Sequence, residues 1–234
     1  MVEGGKTAAG WHLGINLRHD RAAALVRDGE LAVAIQQERL DRNKHSVGML
    51  LQSAPDPRAV QLPEQAIRYC LDACGIDHSE LTSITANMPG IDQAPQILAG
   101  ALSAGLRDRI RQIPSHHLAH AYSAYWPSGF EQAVILVADA SGTTTAAHAT
   151  ESYSLYQAQG NRIRLLHSEQ VAAHLAGLST LRFLYEHVTR KTGFITQVGA
   201  DLAIPEPGKL MGLTPYGRQS HWHPWIRLPE HGAE

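Results

Sequence analysis

The dipeptide Asp28-Gly29 constrains this chain more than any other local feature. Asp-Gly readily takes the positive φ angles of a two-residue hairpin turn, whose twist matches that of the flanking strands. It lies between two apolar-rich runs, residues 22–27 (AAALVR) and 30–36 (ELAVAIQ). A third apolar run, residues 11–17 (WHLGINL), precedes them. The reading is three consecutive strands, at least two of them antiparallel.

Further along, Pro63 opens a helix on which Ile67, Cys70, Leu71 and Cys74 recur at helical spacing, and Gly75 ends it. Residues 46–62 read as a loop, 81–87 as a short strand and 94–112 as holding a second helix. Ser115 is a candidate cap for a third helix from His116 to about Trp126, stopped by Pro127. Residues 133–138 (AVILVA) form a continuous apolar run, the pattern of a central strand buried on both faces. Residues 145–157 and 162–170 read as a strand pair turning at Gly160-Asn161, and 178–192 as a helix closed by Gly193. Residues 206–217 (EPGKLMGLTPYG) are turn-rich, and the tail beyond them is irregular. Antiparallel strands, a helix, then further strands with helices between make an α/β layered pattern.

At 234 residues the chain can bury a core without covalent staples. Lys+Arg number 20 against 22 Asp+Glu, so the net charge of −2 argues against a broad phosphate-gripping surface and no nucleic-acid partner is expected. The two cysteines, Cys70 and Cys74, are one helical turn apart and read as buried apolar residues rather than a disulfide. No run approaches the ~18 apolar residues of a membrane span, and the first ten residues hold no leader-like stretch. The expectation is a soluble cytoplasmic protein without a membrane partner.

The sharpest chemical signal is residues 116–120 (HHLAH). On a helix, His116 and His120 share a face and can aim two imidazoles at one ion, while His117 points about a quarter-turn away. Asp139 follows the apolar run 133–138, at the strand end where open α/β sheets place ligand-binding groups. Two readings are open for Asp139. It completes a two-imidazole, one-carboxylate set suited to iron(II), with zinc or manganese as alternatives, or it starts a turn and caps backbone amides.

At these residues the chain resembles a known family. Residues 116–142 (HHLAHAYSAYWPSGFEQAVILVADASG) resemble the histidine block of the NodU/CmcH carbamoyltransferases, which carbamoylate natural products. Residues 14–46 resemble the family's opening, with a His-Asp pair, an Ala-rich strand, a hairpin and an E-R-x-x-R-x-K-H segment. Residues 64–77 resemble its first helix and residues 206–217 its glycine-lysine-methionine block. The blocks occur in the family's order and span about residues 11–217.

The resemblance implies a ribonuclease-H-like lobe of the actin-like ATPase superfold, a mixed sheet with flanking helices, over residues 11–217, with an irregular tail over 218–234. It implies transfer of a carbamoyl group to a small-molecule acceptor hydroxyl or amine. The donor is carbamoyladenylate, made from ATP and carbamoyl phosphate by a separate YrdC-like domain. By motif, the metal ligands are His116, His120 and Asp139, His19 and Lys44 belong to the transfer site, and Gly208, Lys209 and Gly212 meet the nucleotide. Three departures stand out. Family members run to more than twice this length, so a partner chain carrying the second lobe and the YrdC-like domain is expected, and a later aspartate of the metal site has no counterpart. Arg21-Ala22-Ala23 replaces a small hydroxyl residue, and Asp139-Ala140 replaces Asp-Gly. The alternative reading is a catalytically incomplete nucleotide- and metal-binding module, regulatory or vestigial.

Overall fold

The computed structural model describes residues 9–17, 19–46, 62–87, 98, 102, 104–139, 142–144, 149–172, 181–198 and 202–217. The chain divides into two units, residues 1–180 and 181–234. The expected loop over 46–62 falls mostly outside the described residues, and the expected tail over 218–234 falls wholly outside them.

The first unit opens with the expected meander, β1 (Trp11–Asn16), β2 (Ala22–Arg27) and β3 (Glu30–Gln36). Asp28 and Gly29 both have positive φ, 52° and 90°, which closes the β2–β3 turn in the hairpin-compatible sense. A four-residue helix α1 (Glu38–Asp41) follows, then α2 (Glu64–Cys74), whose C-terminal Gly75 sits at φ 63° and returns its N–H to the last turn. Two parallel strands, β4 (Leu81–Ala86) and β5 (Ile110–Gln112), join the other edge of β1. The sheet order β3-β2-β1-β4-β5, antiparallel within the meander and parallel beyond it, is that of a ribonuclease-H-like lobe.

Alternation along these strands sends Leu13, Ile15, Ala23, Leu25 and Ile84 to one face. There they pack with Ala66, Ile67, Cys70 and Leu71 of α2. Each fully buried Leu or Ile stabilises the fold by about 1.5–3 kcal/mol, before chain entropy is set against it. The opposite face carries small or polar residues, with Gly14 opposite Ala24 and Ala24 opposite Ala34.

A second sheet in this unit has the order β6-β7-β8, built from β6 (Gln132–Ala138), β7 (Ala149–Gln159) and β8 (Arg162–Ala172). Helix α3 (His116–Tyr125) packs Ala121 and Tyr125 against Ile135, Val137, Tyr156 and Ala158. One expectation changes here. The run 133–138 is not buried on both faces: among the described residues β6 pairs with β7 alone, and Val134 and Leu136 are 68% and 66% exposed. Within the expected second helix, the described residues Leu98 and Leu102 are helical, and a 3-10 helix over Ala104–Arg109 leads on into β5.

The second unit holds α4 (Leu181–Lys191), the hairpin β9 (Ile195–Val198) and β10 (Leu202–Pro205), and α5 (Pro207–Gly212). The stretch read as turn-rich is a short helix followed by a 3-10 turn over Thr214–Tyr216. No helix among the described residues is long and apolar enough to cross a membrane.

Candidate metal centre

Ser115 starts α3 as expected. Its Oγ accepts the Leu118 N–H at 3.1 Å, supplying one of the acceptors that a helix start lacks. From this first turn, His116 and His120 project together. His116 Nε2 lies 3.0 Å from His120 Nε2 and 3.0 Å from Asp139 Oδ2, and His120 Nε2 lies 3.4 Å from the same oxygen. His116 and Asp139 are largely buried and His120 is half exposed.

Three donor atoms therefore meet at one point. Two imidazole nitrogens and a carboxylate oxygen are a donor set that fits a divalent transition ion. The residues present fit the group the sequence implied. His116, His120 and Asp139 are the side chains that would hold it.

His117 turns away from this cluster and is fully buried, pairing through Nδ1 with Ser154 Oγ at 2.7 Å. Burial pushes its pKa below the ordinary histidine value, so it stays neutral. The sequence placed it off the shared face, a quarter-turn away.

A second polar cluster lies where β1 ends. Asn16 Nδ2 donates to the carbonyls of His19 and Asp20, both at 3.0 Å. Asp20 then binds two imidazoles, His19 Nδ1 at 2.6 Å through one oxygen and His45 Nδ1 at 2.9 Å through the other. The His19 hydrogen bond, supported by that of His45, holds the Asp20 carboxyl below the usual carboxylate value against the opposing effect of burial. Glu38 accepts the His45 N–H at 2.8 Å, and the Asp20 N–H donates to the His45 carbonyl at 2.6 Å. Asp20, His45 and Ser46 all have positive φ, a conformation that non-glycine residues keep only when their surroundings enforce it. Lys44 is exposed on this loop, next to His45. His19 and the loop that carries Lys44 are thus tied to one carboxylate; sequence reasoning missed His45, whose partner is 25 residues away.

Arg21 explains one departure from the family pattern. It is buried and donates to the carbonyl of Ser46 at 2.7 Å, the Ser46 Oγ at 2.8 Å and the Leu62 carbonyl at 3.0 Å, with Asp41 at 3.6 Å. Its side chain braces the loop that carries Lys44 and His45.

A pocket of about 610 Å³ opens over the small-residue face of the first sheet. It is lined both by Asn16, which carries the His19-Asp20 turn, and by Ala119, which precedes His120. In the second unit, Gly208, Lys209 and Gly212 belong to α5. A Cβ at either glycine would meet open space, and Lys209 lies 3.8 Å from Glu206.

A family model described as the carbamoyltransferase N-terminus matches residues 12–96 and 95–222. An uncharacterized protein of Synechocystis sp. is 29% identical over 240 residues, covering 87% of this chain and 34% of that protein. The nodulation protein NolNO of Sinorhizobium fredii is 29% identical over 222 residues, covering 85% of this chain and 28% of that protein. The chain spans about a third of the length of these curated relatives. Among solved structures, YeaZ from Pseudomonas aeruginosa is similar over 70% of this chain and 68% of its own, at 17% identity and a TM-score of 0.42.

Proposed function

Because the chain belongs to the family of the carbamoyltransferase amino terminus, we propose that it carries the transfer site of a carbamoyltransferase, moving a carbamoyl group from carbamoyladenylate to a small-molecule hydroxyl or amine. The observation that carries this reading is the convergence of His116 Nε2, His120 Nε2 and Asp139 Oδ2 on one point. A divalent ion held there, iron(II) by the donor set with zinc or manganese as alternatives, would supply Lewis-acid stabilisation of the negative charge that develops during acyl transfer.

The chain's own residues do the rest. With Nδ1 of His19 donating to Asp20, its Nε2 is left as the basic nitrogen. That nitrogen takes the proton of the acceptor hydroxyl as the new oxygen–carbon bond forms. The bond from the carbamoyl carbon to the phosphate oxygen breaks, and the phosphate leaves with the electron pair. Lys44 offsets the charge that gathers on the leaving phosphate. Asp20 stabilises the imidazolium so formed while keeping the ring in one orientation, the part a carboxylate plays in a catalytic triad. The pocket lined by both Asn16 and Ala119 is where donor and acceptor would meet. By the family motif, Gly208, Lys209 and Gly212 of the second unit are proposed as nucleotide-binding residues.

Carbamoyladenylate itself comes from a YrdC-like domain, supplied by the rest of the protein or by a partner chain together with the second lobe. The test is transfer of labelled carbamoyl from carbamoyl phosphate and ATP to a panel of hydroxyl-bearing natural products, with those segments present. Transfer that is lost in His19→Ala and in His116→Ala supports the reading. A protein that binds one ion but transfers nothing to any acceptor fits the alternative, a binding module without turnover.

A further inference from the structure

Resting on the ion site proposed above, we infer that Glu151 is the positioning residue that holds the two ligand-bearing segments together. His116 sits on α3, whereas Asp139 sits at the end of β6, and the two are 23 residues apart in the chain. Something must set their mutual distance to a few tenths of an ångström if they are to share an ion. For His116 the usual device is missing among the described residues. A metal-bound imidazole ordinarily donates its other ring N–H to an outer partner that fixes the ring. His116 Nδ1 is buried and has no hydrogen-bond partner among the described residues. Its backbone offers a second way to place the ring.

That backbone is anchored through a chain of bonds that leads to Glu151. The His116 N–H donates to Thr143 Oγ1 at 2.8 Å. Thr143 N–H donates to Glu151 Oε2 at 2.8 Å, and Ser115 Oγ donates to the same carboxylate at 2.9 and 3.1 Å. Main-chain bonds reinforce the join, from the Gly142 N–H to the Glu151 carbonyl at 2.7 Å and from the Glu151 N–H to the Thr143 carbonyl at 3.2 Å. One side chain thus grips the start of the histidine helix and the segment that follows Asp139.

The strand is built to present it. Alternation would send Glu151 to the face opposite Ser154 and Tyr156. The β7–β8 register slips between Glu151 and Tyr153, however, and Thr150, Glu151 and Ser152 are buried in succession. A bulge of this kind re-aims a side chain. Here it turns Glu151 toward α3, on the side where Ser154 meets His117. Gly142 makes room for it: a Cβ there would lie 2.6 Å from Glu151 Oε2, 2.7 Å from Glu151 Cβ and 2.7 Å from His117 Cδ2.

The experiment titrates cobalt(II) into the full chain against a competing chelator, since cobalt absorption reports both affinity and ligand geometry. Glu151→Gln retains an oxygen acceptor at nearly the same place and should bind close to wild type. Glu151→Ala should bind about 10–100-fold more weakly, the range seen when an outer partner is lost, with a shifted visible spectrum. Glu151→Leu, which fills the space without acceptors, replaces it should the alanine variant fail to fold, as judged by circular dichroism. Wild-type affinity and spectrum in a folded Ala or Leu variant would overturn the role of Glu151 and leave the ion site standing. Equal losses in the Gln and Ala variants would overturn it too, by assigning the effect to charge alone. A wild-type chain that takes up no cobalt removes the ion site and this inference with it.

Discussion

The Nε2 atoms of His116 and His120 lie 3.0 Å apart, and their rings meet at 88°. Asp139 Oδ2 is within 3.4 Å of both. Two imidazole lone pairs and a carboxylate oxygen aimed at one point repel each other unless a proton or a cation sits among them. One helical turn sets the first distance, and the fold sets the second.

Loss of any one donor should therefore cost more than loss of an outer partner. His116→Ala, His120→Ala and Asp139→Asn are each expected to lower ion affinity by more than about 100-fold. Metal content after dialysis against a weak chelator, measured by mass spectrometry, checks this. Retention of one ion per chain in any of the three would remove that residue from the ligand set.

Arg21 offers a test of the loop brace. Replacing it by Met removes a buried cation, takes the guanidinium donor from the carbonyls of Ser46 and Leu62, and leaves the Asp41 carboxylate without its neighbouring positive charge. Breaking one side of a buried charged network costs about 3–5 kcal/mol. Urea unfolding of Arg21→Met should show a loss of that order, and a loss near zero would mean the loop stands without it.

Asp20 gives an expected acid dependence. Its folded pKa lies below the ordinary value, with the His19 bond the largest cause. The stability it contributes is therefore present above the ordinary carboxylate pKa of ~3.9 and is lost as pH falls through the lower folded value. Thermal midpoints recorded from pH 6 down to about 2.5 should fall less steeply for Asp20→Asn than for wild type. Identical slopes would show that the two imidazoles draw nothing from this carboxylate.

The cysteines should separate cleanly. Burial raises the Cys70 thiol to about 11, whereas Cys74 is only partly buried. Iodoacetamide at pH 8 is expected to label Cys74 alone in the native chain and both residues in denaturant. Native labelling of Cys70 at a matching rate would show that α2 opens on that timescale.

Gly142→Ala probes the crowded contact between the post-strand segment, Glu151 and His117. Overpacking of this kind typically costs about 1–3 kcal/mol. The variant should lose stability in that range, and a melting curve superimposed on wild type would mean the segment is free to shift.

Local signals carried well from residues to structure. Asp28-Gly29 forms its turn, Gly75 ends α2 in the left-handed region, and Ser115 caps α3. The convergence of His116, His120 and Asp139 was legible because its strongest pair, His116 and His120, is a one-turn spacing. What was not legible depends on distant partners. The Asp20–His45 bond joins residues 25 apart with no periodic pattern between them. Glu151 looks like a strand residue of the wrong parity, and only the slip at Ser152 turns it inward. Val134 and Leu136 read as interior because apolarity on both faces of a strand normally means cover on both, whereas the described elements cover one.

That bare flank of β6 has a practical consequence. Handled alone, the chain should be limited by solubility before it is limited by stability. Salting-out ions, which strengthen apolar association, would glue copies together through Val134 and Leu136. A charged residue installed at Val134 would keep the preparation dispersed without touching the histidines or the carboxylates on the opposite side of the strand.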